Sequence, residues 1–222
     1  MSRCHVAIFT RAPVAGATKT RLIPLLGAEG AVRAHQAMTW HALEMATALP
    51  DASVSLWCAG DAAHPFLQLC SAHFHVECMP QCDGDLGVRM ADCLQRGLAL
   101  HDRMLLTGSD VPAMTTADLA QAAAALDQAR MAFIPAEDGG YVLIGARRGG
   151  LEAACLDNVM WGSTDVMAQT RQRLARQGWR AGDDWREMPT LWDVDTPLDF
   201  QRALAELRSR PGRSSYGCAT WP

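Results

Sequence analysis

The sequence predicts an α/β fold in which helices cover both faces of a mostly parallel sheet. The first half of the chain alternates strand and helix patterns four times, as in a parallel sheet with crossover helices. Its strand segments, such as VAIF at residues 6–9, are short and apolar throughout, which is typical of strands buried on both faces. The 222 residues contain no repeat and no linker, so we predict a single domain over residues 1–208 and a flexible tail over 209–222.

Hydrophobic periodicity defines the elements of the first half. Short apolar runs predict strands at residues 4–10, 54–58, 74–79 and 104–107. Apolar residues at steps of three and four predict helices at residues 27–49, 62–72 and 86–100. The loops at 11–21 and 108–112 follow strands, so they lie at the carboxyl edge of the predicted sheet, where open α/β sheets bind ligands.

The second half is mixed, and its helix starts are the clearest signals. Thr115 and Asp118 have the spacing of a capping box and open a predicted helix. Thr196, Pro197 and Asp199 fit the N-cap, the first position and the third position of the last helix. Between these helices we predict one further helix at residues 163–177 and strands at residues 131–134, 141–144 and 185–188.

Composition and charge exclude several classes of protein. The formal net charge of -4 argues against a nucleic-acid-binding protein, which usually has a basic surface. No apolar run approaches the roughly 18 residues of a membrane span, and the amino-terminal residues lack the pattern of a secretory signal. The eight cysteines include no C-x-x-C pair, so we expect reduced thiols. We therefore expect a cytoplasmic protein that binds neither nucleic acid nor a membrane.

The loop after the first strand has the composition of a phosphate-binding segment. It carries Arg11, Gly16, Lys19 and Arg21, and Lys19 is the only lysine in the chain. A glycine lets the backbone approach a phosphate, and the cations neutralise its charge. The loop is neither a Walker A motif nor a G-x-G-x-x-G motif, so a solvated turn with incidental charges is the alternative. We predict that Lys19 is exposed and binds phosphate.

Three carboxylates are candidate ligands for a divalent cation. Asp110 follows the strand at residues 104–107, where a carboxylate can hold a cation against a phosphate. Asp193 and Asp195 lie two residues apart, so in an extended segment they point to the same side. The alternatives are an ordinary turn at Asp110 and a helix-terminal charge at Asp195. We predict that Asp110 lies within roughly 8 Å of the later pair and shares one cation with it.

Two glycine-containing turns are candidate substrate contacts, although both sequences are also typical of ordinary turns. The first has Gly84, Asp85 and Arg89, and the second has Asp138, Gly139, Gly140 and Tyr141. The segment Trp161-Gly162-Ser163 precedes a predicted helix and could offer backbone N–H groups to an anion. We interpret that segment as a plain helix start.

Taken in order, these segments resemble a known family. They are FTRAPVxGxxKTRL at residues 9–22, GDLGxRM at 84–90, GSDxP at 108–112, EDGGY at 137–141 and DVDTP at 193–197. Together they resemble the bacterial glycosyltransferase-like family known as radical-SAM/selenodomain-associated transferases. That family is similar to the GT-A-type sugar-nucleotide transferases and to the phospholactate and molybdenum-cofactor guanylyltransferases.

The resemblance implies a Rossmann-like three-layer α/β/α sandwich of the GT-A type, with a nucleotide at the carboxyl edge of the sheet. It also implies Mg²⁺ or Mn²⁺ on the diphosphate, a nucleotide or nucleotide-sugar donor and a small-molecule acceptor; a homodimer is left open. Glycosyl transfer is the favoured reaction. Nucleotidyl transfer with release of pyrophosphate is the alternative, and a non-catalytic nucleotide-binding protein is a second alternative. The D-x-D of the glycosyltransferases is reduced here to the single acid Asp110.

The same resemblance gives each candidate residue an expected role. Lys19 and Asp110 are the expected catalytic residues, and Asp110, Asp193 and Asp195 are the expected metal ligands. The expected nucleotide and phosphate contacts are Arg11, Gly16, Lys19, Arg21, Gly84, Asp85 and Arg89. The expected substrate loop consists of Asp138, Gly139, Gly140 and Tyr141.

Overall fold

The computed structural model describes residues 4–209, which form seven strands and six α-helices. The strands are β1 (Cys4–Arg11), β2 (Ala52–Ala59), β3 (Glu77–Pro80), β4 (Arg103–Gly108), β5 (Met131–Pro135), β6 (Tyr141–Arg147) and β7 (Trp185–Glu187). The helices are α1 (Ile23–Thr47), α2 (Pro65–Phe74), α3 (Leu86–Leu100), α4 (Thr116–Ala125), α5 (Val166–Arg176) and α6 (Pro197–Ser209). Short 3₁₀ turns lie at Thr20–Leu22 and Ala153–Leu156.

The strands form one sheet in the order β3-β2-β1-β4-β6-β5-β7. Strand β6 is antiparallel to both β4 and β5, and every other neighbouring pair is parallel. The chain leaves β1 towards β2 and β3 on one side, whereas β4 lies on the other side. The loops that follow β1 and β4 are therefore neighbours at the carboxyl edge, which is where sheets of this kind form a ligand crevice.

Helices cover both faces of the sheet, which confirms the predicted three-layer α/β/α arrangement. On β1, Val6 and Ile8 point into a core shared with α1, α2 and α4, whereas Ala7 points into a core shared with α3 and α5. All three side chains are fully buried. Among the described residues, no helix combines the length and the apolar character that a membrane span needs.

A third apolar cluster attaches α6 to the beginning of α1. Phe200 and Ala203 of α6 pack with Leu22, Met38 and the buried Val194. Thr196 caps this helix as predicted, because its Oγ1 accepts the backbone N–H of Asp199 at 3.3 Å. The cluster holds the segment before α6 against the end of β4.

Several boundaries differ from those predicted. Phe74 is predicted to lie in the third strand, but it is the last residue of α2, and His75 caps the helix in the left-handed conformation (φ 54°). Helix α1 begins at Ile23 and kinks at Gly27, where φ is 70°. The tail predicted at 209–222 lies outside the described residues, apart from Ser209 at the end of α6.

The capping box predicted at the start of α4 is present and can be tested by mutation. Thr115 Oγ1 accepts the backbone N–H of Asp118, and Asp118 Oδ2 accepts the backbone N–H of Thr115 at 2.8 Å. We expect Thr115→Ala to lower the free energy of unfolding by about 1 kcal/mol, because it leaves a first-turn N–H without its partner. Urea unfolding measures this loss. Thr115→Ser keeps the hydroxyl, and an equal loss in that control would contradict the capping explanation.

Candidate functional site

Asp110, Asp193 and Asp195 come together at the carboxyl edge of the sheet. Asp110 follows β4, and the other two lie in the segment before α6. The backbone N–H of Val194 donates to the Asp110 carbonyl oxygen at 2.9 Å, which fixes this segment beside the end of β4. One carboxylate oxygen from each aspartate lies within 4.8 Å of the other two. The predicted convergence of the three carboxylates is therefore observed.

Lys19 lies among these carboxylates. Its Nζ donates to Asp110 Oδ2 at 2.8 Å, to the Val194 carbonyl oxygen at 2.6 Å and to Asp195 Oδ1 at 3.2 Å. Only 11% of the side chain is exposed. The prediction of an exposed loop lysine was therefore wrong. Its bonding partners follow 91 or more positions later in the sequence, so no local pattern around Lys19 indicates them.

The ion pair keeps Lys19 and Asp110 charged in spite of their burial. Burial alone would lower the pKa of the Lys19 ammonium, but the Asp110 and Asp195 carboxylates raise it overall. Burial alone would raise the pKa of Asp110, but the Lys19 ammonium lowers it overall. The pair is therefore ionised at neutral pH.

Asp193 is the carboxylate that Lys19 does not contact. Of the three carboxylates, Lys19 donates to those of Asp110 and Asp195, and the Arg21 guanidinium also reaches Asp195, at 3.4 Å. Burial, together with the negative charges of Asp110 and Asp195, raises the pKa of Asp193 to about 7. The cluster thus carries more negative charge than its protein cations balance at close range.

Thr18 and His35 anchor the loop after β1. Thr18 is 1% exposed; its Oγ1 donates to the Ala12 carbonyl oxygen at 3.2 Å and accepts the Val14 N–H at 3.0 Å. His35 Nε2 lies 3.1 Å from the Arg11 carbonyl oxygen. Burial lowers the pKa of His35 to about 4, so the ring is neutral and Nε2 carries the proton that bonds to this carbonyl. Hydrogen bonds within the loop and from the His35 ring of α1 therefore hold the loop in place.

A cavity of about 470 Å³ lies between this loop and α3; we call it the cationic cavity. Four cations line it: Arg11, Lys19, Arg21 and Arg89. Asp110 lines it as well. Gln81 orients Arg89, because its Oε1 accepts Arg89 Nη1 at 3.0 Å while its Nε2 donates to the carbonyl oxygens of Thr10 and Trp57. The cavity therefore presents preorganised positive charge beside the acid cluster.

A second cavity, of about 260 Å³, also has Asp110 in its wall; we call it the apolar cavity. Its walls come from α3, β4, β6 and the segment before α5. Apolar and aromatic side chains dominate the lining, among them Met90, Leu106, Ile144, Tyr141 and Trp161. Its charged lining residues are Asp110, Asp138 and Asp193.

The predicted contact residues separate into those that line a cavity and those that support it. Asp138, Gly140 and Tyr141 line the apolar cavity, and the four cations line the other. The residues that line neither cavity are Gly16, Gly84, Asp85 and Gly139. Asp85 instead caps α3, since its Oδ1 accepts the Val88 N–H at 2.9 Å. Gly139, at φ 92°, passes so close to Thr164 that a Cβ would clash with the Thr164 carbonyl oxygen.

Three residues of the site escaped sequence reasoning. His35 lies within the apolar periodicity of α1, so nothing in the sequence indicates that its ring contacts the loop after β1. Gln81 directly follows β3, so its position at the carboxyl edge was the one available indication. Trp161 was interpreted as part of a plain helix start, but it lines the apolar cavity.

Comparison with protein families identifies the chain. A family model matches residues 42–163, more than half of the sequence. The family is described as “Uncharacterized protein conserved in bacteria (DUF2064)”, and the chain belongs to it. The resemblance to a bacterial GT-A-like family is thereby confirmed. No curated protein matches the sequence.

Several solved structures have the same fold as this chain. A Desulfovibrio desulfuricans G20 protein, provisionally assigned as a nucleotide-diphospho-sugar transferase, has a TM-score of 0.88 and 28% identity, covering 99% of this chain and 94% of its own. The 4-diphosphocytidyl-2C-methyl-D-erythritol synthase of Anaerococcus prevotii DSM 20548 has a TM-score of 0.61 and 11% identity, covering 94% and 100%. A CMP:2-keto-3-deoxy-manno-octonic acid synthetase complexed with CTP has a TM-score of 0.58 and 14% identity, covering 93% and 99%. The last two show likeness of fold alone.

The raised pKa of Asp193 predicts a pH-dependent effect on stability. Because its folded-state pKa of about 7 lies above the ordinary value of 3.8, its ionisation opposes folding increasingly as the pH rises from 3.8 to 7. We expect metal-free Asp193→Asn to be more stable than the parent at pH 8, by on the order of 2 kcal/mol, with the gain shrinking at pH 5. Urea unfolding in a chelator measures both values.

A matched control uses the neighbouring carboxylate. Asp195→Asn also removes one charge from the cluster, but that charge forms an ion pair with Lys19, so its favourable interaction is lost as well. It should therefore not stabilise the protein at pH 8. A gain for Asp193→Asn that is equal at pH 5 and pH 8 would contradict the titration.

Proposed function

We propose that this DUF2064 protein is a metal-dependent transferase that uses a nucleotide-diphosphate donor, with a nucleotide sugar as donor and glycosyl transfer as the reaction. The observation that carries the proposal is the position of Asp110, which belongs both to the acid cluster and to the cationic cavity. A diphosphate requires positive charge on its oxygens as it is transferred or released. The likeness to the Desulfovibrio protein supports the transferase class and the type of donor.

The acid cluster fits Mg²⁺ or Mn²⁺. It offers oxygen ligands alone, three carboxylates within 4.8 Å of one another, and hard divalent cations prefer such ligands. The raised pKa of Asp193 indicates negative charge that the protein itself does not compensate. Asp110, Asp193 and Asp195 would hold the ion. When bound, it would supply charge neutralisation at the diphosphate.

The residues of the cationic cavity would bind and orient the donor. Arg11, Arg21 and Arg89 offer guanidinium groups to phosphate oxygens, and such charge-assisted hydrogen bonds are stronger than neutral ones. Gln81 fixes the direction of Arg89 before a ligand arrives. Lys19 has two roles in this proposal, since its ammonium holds Asp110 and Asp195 and also lines the cavity.

The proposed reaction exchanges one carbon–oxygen bond for another. The hydroxyl oxygen of the acceptor bonds to the anomeric carbon of the donor sugar, and the bond from that carbon to the diphosphate oxygen breaks. The electron pair of the broken bond leaves with the nucleoside diphosphate, and the hydroxyl proton passes to a carboxylate or to water. The cations of the site stabilise the charge that develops on the leaving diphosphate.

Nucleotidyl transfer is the second candidate. An acceptor oxygen would then bond to the α-phosphorus of a nucleoside triphosphate, and the bond to the leaving pyrophosphate would break. The fold likeness to two cytidylyl-type enzymes and the lone acid at the end of β4 favour this alternative. A non-catalytic nucleotide-binding protein is the third candidate. The three clustered carboxylates beside the cations of the cavity argue against it, because binding a nucleotide alone does not require them.

A ligand screen separates these candidates. Thermal-shift measurements with nucleotides and nucleotide sugars, with and without Mn²⁺, should show a metal-dependent rise in melting temperature for the donor, because a ligand of the folded state stabilises it. Phosphorus NMR of the donor that binds then identifies the product. A nucleoside diphosphate indicates glycosyl transfer, and pyrophosphate indicates nucleotidyl transfer. We expect Asp110→Asn to remove the metal-dependent shift; a normal shift in that variant would contradict the proposal.

Lys19→Ala should change nucleotide and metal affinity in opposite directions. Nucleotide affinity should fall by about 1.5–3 kcal/mol, the scale of a hydrogen bond to a charged group. Affinity for Mn²⁺ alone should rise, on the order of tenfold, because no ammonium then competes for Asp110 and Asp195. Calorimetric titration measures both constants.

Arg11→Ala is the matched control for this pair of measurements. Arg11 lines the same cavity, but its Nη1 bonds to the Ala17 carbonyl oxygen and not to the acid cluster. It should weaken nucleotide binding and leave Mn²⁺ affinity unchanged. If Lys19→Ala bound Mn²⁺ more weakly than the parent, competition between the ammonium and the metal would be excluded.

A further inference from the structure

The two cavities differ in charge although they share one wall. The cationic cavity is lined by four lysine or arginine side chains beside the carboxylates of Asp110 and Asp195, whereas the lining of the apolar cavity contains no lysine, arginine or histidine. Its charged lining residues are the three carboxylates of Asp110, Asp138 and Asp193. Asp110 is paired with Lys19, but Asp138 and Asp193 have no cation in contact among the described residues, and an anionic group that entered the apolar cavity would meet no cationic side chain in its walls.

An aromatic corner shapes the apolar cavity. The rings of Tyr141 and Trp161 meet edge to face at 88°, with 6.3 Å between centroids, and Tyr141 packs in the same manner on Phe133. Burial raises the pKa of the Tyr141 hydroxyl, so it stays a neutral phenol. Trp161 Nε1 is buried and has no hydrogen-bond partner among residues 4–209. This N–H lies against α3, because a Cβ on Gly87 would stand 3.1 Å from Nε1.

The indole of Trp161 needs a glycine at position 87. A Cβ on Gly87, in the first turn of α3, would lie 2.9 Å from Trp161 Cζ2 and 2.5 Å from the Leu156 carbonyl oxygen. Both contacts are too short for a real side chain, and the second involves backbone. Gly87 therefore allows the indole of Trp161 to pack directly on α3 and to close the cavity on that side.

We propose that the apolar cavity binds the acceptor, and that the acceptor is a small, largely apolar alcohol without a phosphate or other anionic group. This inference rests on the proposed transferase function. The cavity volume of about 260 Å³ admits a molecule of the size of a substituted benzyl alcohol. Asp110 stands in the walls of both cavities, so the hydroxyl end of such a molecule meets the donor at the acid cluster.

Fluorine NMR with a matched pair of probes tests the inference. The probes are 4-fluorobenzyl alcohol and 4-fluorobenzyl phosphate, titrated into the protein in a chelator, because a divalent cation on Asp110 and Asp193 would itself attract the phosphate. We expect the alcohol to bind at least about tenfold more tightly than the phosphate, because the lining carboxylates repel the anion. Equal binding of the two probes, or tighter binding of the phosphate, would overturn the inference.

Two variants test the cavity walls. Trp161→Ala should weaken alcohol binding by about tenfold, through loss of the aromatic wall. Asp138→Asn keeps an oxygen for the Gly140 N–H, which Asp138 Oδ1 accepts at 2.8 Å, but removes one charge, so phosphate binding should improve. Melting temperatures verify that both variants fold. Unchanged alcohol binding in the first variant, or unchanged preference in the second, would contradict the assignment of the site.

Nucleotide titrations of the same proteins in the presence of Mg²⁺ keep this inference separate from the proposed function. Arg89 lines the cationic cavity only, so Arg89→Ala should weaken nucleotide binding and leave alcohol binding intact. Selective alcohol binding by a parent protein that binds no nucleotide would count against the transferase function and still support the apolar site. Nucleotide binding without selectivity between the probes would overturn the inference alone.

Discussion

The ammonium of Lys19 joins three parts of the chain that are distant in sequence. It bonds to Asp110 after β4, and to Asp195 and the Val194 carbonyl in the segment before α6. These partners follow Lys19 by 91 to 176 positions. Without that cation, three carboxylates would stand within 4.8 Å of one another and would repel. Both cavities include Asp110 in their walls, so their geometry depends on this ion pair.

The scaffold around the ion pair is built to keep it in place. Strands β1 and β4 are neighbours in the sheet, so the loops that carry Lys19 and Asp110 start side by side. The helix α6 packs its Phe200 into the cluster beside α1 and brings Val194 to the end of β4. Arg202 of α6 adds a bidentate pair with Glu137 and lies over the ring of Trp192. Helix α6 therefore contacts both the turn that begins at Glu137 and the segment that carries Asp193 and Asp195.

Sequence reasoning recovered what depends on local pattern. The helix α3 was predicted with its observed bounds, and the cap at Thr115 was predicted from its spacing to Asp118. The convergence of the three aspartates followed from the rule that loops meet at the carboxyl edge of such a sheet. The burial of Lys19 did not follow, because it depends on contacts across the fold. The end of α2 was predicted too early, because Phe74 and Val76 alternate with polar residues in the pattern of a β-strand.

The two cavities on either side of Asp110 differ in the charge of their lining residues. Lys19 is hydrogen-bonded to Asp110 and Asp195, and Asp193, left without a cation in contact, has a raised pKa. Positive charge lies on the side of Arg11 and Arg89, and the cavity on the other side of Asp110 is mainly apolar, with carboxylates as its charged lining groups. In the proposed function, a phosphate group would therefore be stabilised on the side of the arginines and disfavoured on the other. The same carboxylate that anchors the loop lysine thus sets the direction in which a donor and an acceptor would have to enter.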